Sequence, residues 1–155
     1  RSDQPVVVWV NLSPVQLGDP ELVRRIEAAL SFSGAPPALL GLEVTEQAIL
    51  PDFAQAIDRL EALSAVGLHL AVDDFGTGNS SLGYLQHLPI DTVKLARSFV
   101  APAAADDRSR AIVTAVVELA AALGLRCAAE GGETARGFPP ARPERASALL
   151  ARLAR

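Results

Sequence analysis

Ala71-Val-Asp-Asp-Phe-Gly-Thr-Gly-Asn-Ser-Ser-Leu82 is an apolar run that ends in two adjacent acids and a Gly-rich turn. A short apolar segment closed by such a turn reads as a strand whose last side chains stand at its exit. Two carboxylates there mark a place for chemistry with a metal ion, although an isolated acidic pair before glycines is also ordinary turn chemistry.

Working outward, four more short apolar segments read as strands: Val6–Val10, Leu39–Val44, Thr92–Leu95 and Arg126–Ala129, with the central one spanning Leu68–Val72. Several are β-rich or continuously apolar, the pattern of a parallel sheet buried on both faces. Helical patterns fill the gaps. Asp19-Pro20 is expected to cap a helix carrying Leu22, Val23, Ile26 and Leu30, and Asp52 a second with Phe53, Ile57, Leu60 and Leu63 on one face and Gly67 past its end. A third is expected from near Ser109, with Ile112, Val113, Val116, Val117, Ala120 and Leu123 on one stripe and Gly124 after it, and a short helical turn over Ser81–Gln86. Alternating β and α elements imply parallel strands with right-handed crossovers. The fold class read from this is α/β. A complete eightfold barrel takes roughly 250 residues, so 155 residues hold about five βα units, a partial TIM-type (β/α) barrel.

Composition narrows the class of function. Half the residues are hydrophobic (50%) and 21% are charged, as in soluble globular domains. The net charge of −4 argues against a nucleic-acid polymer as partner, since such surfaces are basic. The apolar stretch Ala111 to Leu125 carries Glu118 and is shorter than the roughly 20 residues of a membrane helix. The single cysteine, Cys127, has no internal partner and lies in a strand-like run, which fits a reduced, cytoplasmic setting.

Each expected strand finishes in a residue able to coordinate a cation or position an anion: Asn11, Glu43, Asp73 with Asp74, Lys94 and Glu130. Spaced about one βα unit apart, they would converge on the C-terminal rim of a barrel. Their oxygen donors suit Mg²⁺ or Mn²⁺ rather than zinc, and adjacent carboxylates can hold two ions as in two-metal phosphoesterases. Bland readings stand beside these. Asn11 before Leu12-Ser13-Pro14 could be a turn residue, Glu43 in an apolar strand needs a partner or a metal, and a salt bridge would account for Lys94. His69 and His87 read as core-edge and loop residues, and Trp9 as a core residue.

The chain resembles the EAL domain, the family of bacterial cyclic-di-GMP phosphodiesterases. The segments that carry the resemblance are Val10-Asn11-Leu12-Ser13-Pro14, Leu42-Glu43-Val44-Thr45-Glu46, Asp73-Asp74-Phe75-Gly76-Thr77-Gly78 with Ser80-Ser81-Leu82, Leu88-Pro89-Ile90-Asp91-Thr92-Val93-Lys94, and Ala129-Glu130-Gly131 with Glu133-Thr134. It covers residues from about Val6 to Thr134.

The resemblance implies that Asn11, Glu43 and Asp73 are ligands of one metal ion. Asp74, with Asp73 and Glu130, would serve a second. Lys94 would hold the attacking water or a phosphate oxygen. Glu46 would anchor the loop after its strand, which in such enzymes couples metal occupancy to dimerisation. Lys94, Glu130 and Glu46 are thus the expected catalytic residues, Mg²⁺ or Mn²⁺ the cofactor, and cyclic-di-GMP the partner, opened to linear pGpG. A homodimer, or association through open sheet edges, is expected as well.

The departures bear on activity. The Glu-Ala-Leu segment, whose glutamate is a metal ligand in the family, and the family's late Gln-Gly-Tyr-like segment and final strand have no counterpart here. Lys94-Leu95-Ala96-Arg97 stands where the family has Lys-Ile-Asp-Arg, Gly132 where it has valine, and the likeness fades after Thr134, as a truncated or frame-shifted reading would produce. Residues 1–137 are therefore expected to form an incomplete EAL domain and 138–155 a divergent Arg/Ala/Pro-rich tail, with weak or no turnover. The rival readings are a non-catalytic module binding cyclic-di-GMP or a protein, and a non-functional gene fragment.

Overall fold

The computed structural model of the chain describes residues 6–77 and 82–129. Its first strand, β1 (Val8–Asn11), leads into α1 (Pro14–Leu17) through a reciprocal cap: Gln16 N donates to Ser13 Oγ at 3.2 Å and Ser13 N to Gln16 Oε1 at 3.0 Å. α2 (Leu22–Ser33) ends on Gly34 in the left-handed conformation, and β2 (Leu40–Thr45) runs directly into α3 (Glu46–Ile49). α4 (Phe53–Val66) is capped by Asp52, whose Oδ1 accepts from Gln55 N at 3.2 Å, and stops at Gly67 with φ 95°. β3 (His69–Phe75), a 3₁₀ segment over Leu82–His87, β4 (Thr92–Leu95), α5 (Arg97–Val100), α6 (Asp107–Ala122) and β5 (Arg126–Ala129) complete the described order.

The five strands form one sheet in the order β1-β2-β3-β4-β5. β1 and β2 are parallel with Trp9 opposite Gly41 and Asn11 opposite Glu43, and β4 and β5 are parallel with Thr92 opposite Arg126 and Lys94 opposite Ala128.

Two compact units divide the chain: Arg1–Ala71 with Gly83–Ile90, and Val72–Leu82 with Asp91–Arg155. In the first, Val44, Ile49, Leu60, Leu63 and Leu70 are fully enclosed; in the second, Val72, Val93, Leu95, Val113, Val117 and Cys127 are. Each of these residues contributes about 1.5–3 kcal/mol on leaving water if it is a full aliphatic side chain. The second unit is also tied at the starts of its last two strands. Arg126 Nη2 donates to Asp91 Oδ1 at 2.6 Å, Thr92 Oγ1 donates to the same oxygen at 2.7 Å, and Arg126 N donates to Asp91 O at 2.9 Å.

Several expectations are corrected. β1 begins two residues later than expected and is not covered on both sides: Val8 and Val10 are 59% and 46% exposed. Glu21, not Asp19, is the N-cap of α2; Asp19 Oδ1 instead accepts from Glu21 N at 2.9 Å, in a turn that precedes the helix. α6 starts at Asp107 because Asp106 caps it, accepting from Ser109 N at 2.7 Å. Ile112 and Leu123 leave its buried stripe, being 46% and 38% exposed. Trp9 is half-buried rather than a core residue. The three four-residue helices α1, α3 and α5 escape sequence reading because one turn carries no periodicity. Among the described residues no helix is long and apolar enough to cross a membrane.

Candidate functional site

In the first unit, Asn11 ends β1 directly opposite Glu43 of β2, and Leu12 N donates to Glu43 O at 2.8 Å to fix that register. Parallel partners in register present their side chains to the same face. The amide of Asn11 and the buried carboxylate of Glu43 therefore belong to one face at the strands' C-terminal ends. Three residues on, Glu46 opens α3 and is only 2% exposed. Tyr84 donates its hydroxyl to Glu46 Oε1 at 2.9 Å, and Phe53 meets the Tyr84 ring edge-on with centroids 6.1 Å apart. Burial, the hydrogen bond to Glu46 and its negative charge together hold the Tyr84 phenol far above the ordinary range, so it stays protonated and able to donate to Glu46.

In the second unit the acidic pair lies within the end of β3 rather than after it. Asp73 is 9% exposed and its Oδ1 is buried without a hydrogen-bond partner; the ammonium of Lys94 stands 3.8 Å away. Adjacent strand residues normally face opposite sides. Asp74 is exposed between buried Asp73 and Phe75 and has φ 52°, among the described residues the non-glycine with a left-handed backbone. Aspartate tolerates this conformation better than most residues. Its carbonyl accepts from Thr77 Oγ1 at 2.9 Å and Thr77 N at 3.3 Å, and Gly76 follows with φ 96° against the ring of Phe99. Ala96, just past β4, donates its N–H to Phe75 O at 3.2 Å, and its side chain is 2% exposed.

Of the expected site residues, Asn11 and Glu43 are thus brought together, as are Asp73 and Lys94. Glu130 and the Gly131–Thr134 segment, like Gly78, Ser80 and Ser81 and the whole 138–155 tail, lie outside the described residues. No three His, Cys, Asp or Glu side chains group together among the described residues. The donors nonetheless fit a hard divalent cation on one observation. A carboxylate oxygen enclosed by protein with no hydrogen bond is costly, and Asp73 Oδ1 is such an oxygen. Sequence reading missed Tyr84, which is marked only by being the chain's one tyrosine. It also missed the pairing of Trp9 with Gly41, visible only once the register is known.

The sequence pattern of the EAL domain family matches residues 2–144. The cyclic di-GMP phosphodiesterase NbdA of Pseudomonas aeruginosa is 42% identical over 127 residues, covering 82% of this chain and 16% of NbdA. The solved structure of the MucR phosphodiesterase from the same organism, in complex with c-di-GMP, is 39% identical with a TM-score of 0.78, over 95% of this chain and 56% of that one. The manganese and cyclic-di-GMP complex of Klebsiella pneumoniae BlrP1 is 32% identical with a TM-score of 0.74, over 81% of this chain and 32% of that one. The chain spans 16% to 24% of the length of four curated relatives that it matches. The fold class is α/β, a partial TIM-type barrel, as the alternation of elements implies.

Proposed function

Because the chain belongs to the EAL domain family, we propose that it carries the metal-dependent site at which cyclic-di-GMP is hydrolysed to pGpG. The observation that carries this reading is the buried, hydrogen-bond-free Oδ1 of Asp73 at the exit of β3. Asn11, Glu43 and Asp73 would hold one divalent cation, and Asp74, with Asp73 and Glu130, a second; the relatives' manganese and calcium complexes support Mg²⁺ or Mn²⁺-like ions in this role. Bound there, such cations neutralise a phosphodiester and make water a stronger nucleophile.

The protein's own groups do the rest. Lys94, with its ammonium 3.8 Å from Asp73 Oδ1, holds a phosphate oxygen or the attacking water while Asp73 fixes where that ammonium stands. Addition of water across one P–O3′ bond leaves a 5′-phosphate and a free 3′-hydroxyl, the linear dinucleotide. Glu46 anchors the loop after its strand, a role that its burial and its bond to Tyr84 support. The same reading takes the setting as cytoplasmic, with Cys127 a buried reduced thiol, and takes self-association as a homodimer or through sheet edges.

Ala96 favours a second reading, in which cyclic-di-GMP is bound and barely cleaved: its buried methyl supplies no oxygen where the family has aspartate. One experiment separates the two. Cyclic-di-GMP binding is followed by calorimetry with Mn²⁺ present, and pGpG by chromatography from the same samples. Binding with slow pGpG release that Asp73→Asn abolishes is expected. Binding with no pGpG over a day supports the regulatory module, and no binding of cyclic-di-GMP defeats both.

A further inference from the structure

The indole of Trp9 occupies the place that a side chain at position 41 would fill. A Cβ added to Gly41 would come within 2.5 Å of indole Cδ2 and 2.7 Å of Cζ3, closer than real contacts allow. The ring therefore lies flat over β2, reaching far enough for its centroid to stand 6.4 Å from that of His69 on β3. Trp9 pairs with Gly41, and Asn11 with Glu43, in the same register. Residues two apart in a strand share a face, so the indole spans the sheet about 7 Å below the Asn11 and Glu43 pair, on their side of it. The opposite face of β1 offers no such hold, since Val8 and Val10 are 59% and 46% exposed.

We infer that Trp9 is a positioning residue for divalent-cation binding: its indole, admitted only because position 41 is glycine, is the floor that fixes β1 against β2 and sets Asn11 in place beside Glu43. The inference rests on the proposed metal site. It assigns to the chain's one tryptophan a task separate from ligation. Positioning groups around metal ligands typically govern affinity by about one to two orders of magnitude.

Mn²⁺ alone is the probe, with free ion counted by electron paramagnetic resonance on the full chain, and the unmodified protein is also followed by Mn²⁺ quenching of Trp9 fluorescence. Gly41→Ala, which drives the ring off β2, and Trp9→Ala are each expected to weaken Mn²⁺ binding by about tenfold or more. Trp9→Phe, which restores a flat ring, should recover part of that loss. Leu60→Val is the control for stability alone: it thins the first unit's core and should lower Tm without moving Mn²⁺ affinity. If Gly41→Ala fails to fold, Trp9→Ala decides. A folded Gly41→Ala or Trp9→Ala chain with undiminished affinity overturns the inference while leaving the metal site intact, as does a Leu60→Val chain that loses affinity in proportion to Tm. Mn²⁺ binding that is absent from the unmodified chain, or that survives both Asn11→Ala and Glu43→Gln, overturns the site reading and the inference together.

Discussion

Lys94 Nζ stands 3.8 Å from Asp73 Oδ1, an ion pair too long to be a hydrogen bond, between side chains only 16% and 12% exposed. A pair held at that distance leaves the carboxylate poised for a different cation. Asp73→Asn keeps the shape and removes the charge. It should cut Mn²⁺ affinity at least about tenfold while changing metal-free stability by about 1 kcal/mol or less, because Oδ1 has no hydrogen bond to lose. Calorimetry and urea unfolding check the two halves separately.

Ala96→Asp should act in the opposite direction. A carboxylate at this position is expected to raise pGpG release about tenfold if a missing oxygen limits turnover. It should also lower the metal-free Tm, since Ala96 is 2% exposed and a charge placed there is desolvated. Unchanged turnover in a folded variant would place the limitation elsewhere.

Tyr84→Phe removes the donor to Glu46 Oε1 while leaving the ring against Phe53. Hydrogen bonds to buried charged groups contribute about 1.5–3 kcal/mol, so a loss of about 2 kcal/mol in unfolding free energy is expected. Adding Glu46→Gln should cost less than the two single losses summed, which a double-mutant cycle by chemical denaturation would measure.

Burial pushes the Cys127 thiol up from 9.0 to about 12. The folded chain thus holds this proton more tightly than the unfolded one, and the sign follows: the associated stability is fully present below pH about 9 and is lost as pH rises from there toward 12. Cys127→Ala lacks this dependence. The stability gap between the two proteins, measured by denaturation at about pH 8 and about pH 10.5, should narrow at the higher value. A gap that widens would contradict the burial of the thiol.

Among the described residues β1 pairs with β2 alone, and its Val8 and Val10 side chains are exposed. Exposed apolar edge strands pair with one another. The chain should scatter light as a dimer or larger species, and Val8→Lys with Val10→Lys should shift it toward monomer. A concentration-independent monomer before substitution would count against association at this edge.

What could be read without coordinates was whatever repeats or punctuates. Asp52 and Gly67 bracket α4 as their residue types dictate, and β4 and β5 fall on their apolar runs to the residue. Competition between nearby acids hid the true caps: Asp106 lies three residues before Ser109, and Asp19 shapes the turn that Glu21 then closes. The acids themselves were legible because carboxylates in apolar strands are rare and costly. The contacts that hold them were not. Tyr84 is 38 positions from Glu46, and the fit of Trp9 over Gly41 depends on a register that neither residue announces.

The left-handed backbone at Asp74 also constrains how this chain could change over generations. Asp73 has an ordinary extended backbone, so a small residue of any kind could replace it without disturbing the strand. Position 74, at φ 52°, accepts asparagine or glycine readily and resists branched or bulky residues. A lineage that gave up the chemistry while keeping the fold would therefore drift freely at the first acid of the doublet and along a narrow track at the second, so that the backbone, rather than the metal, would preserve the memory of the pair.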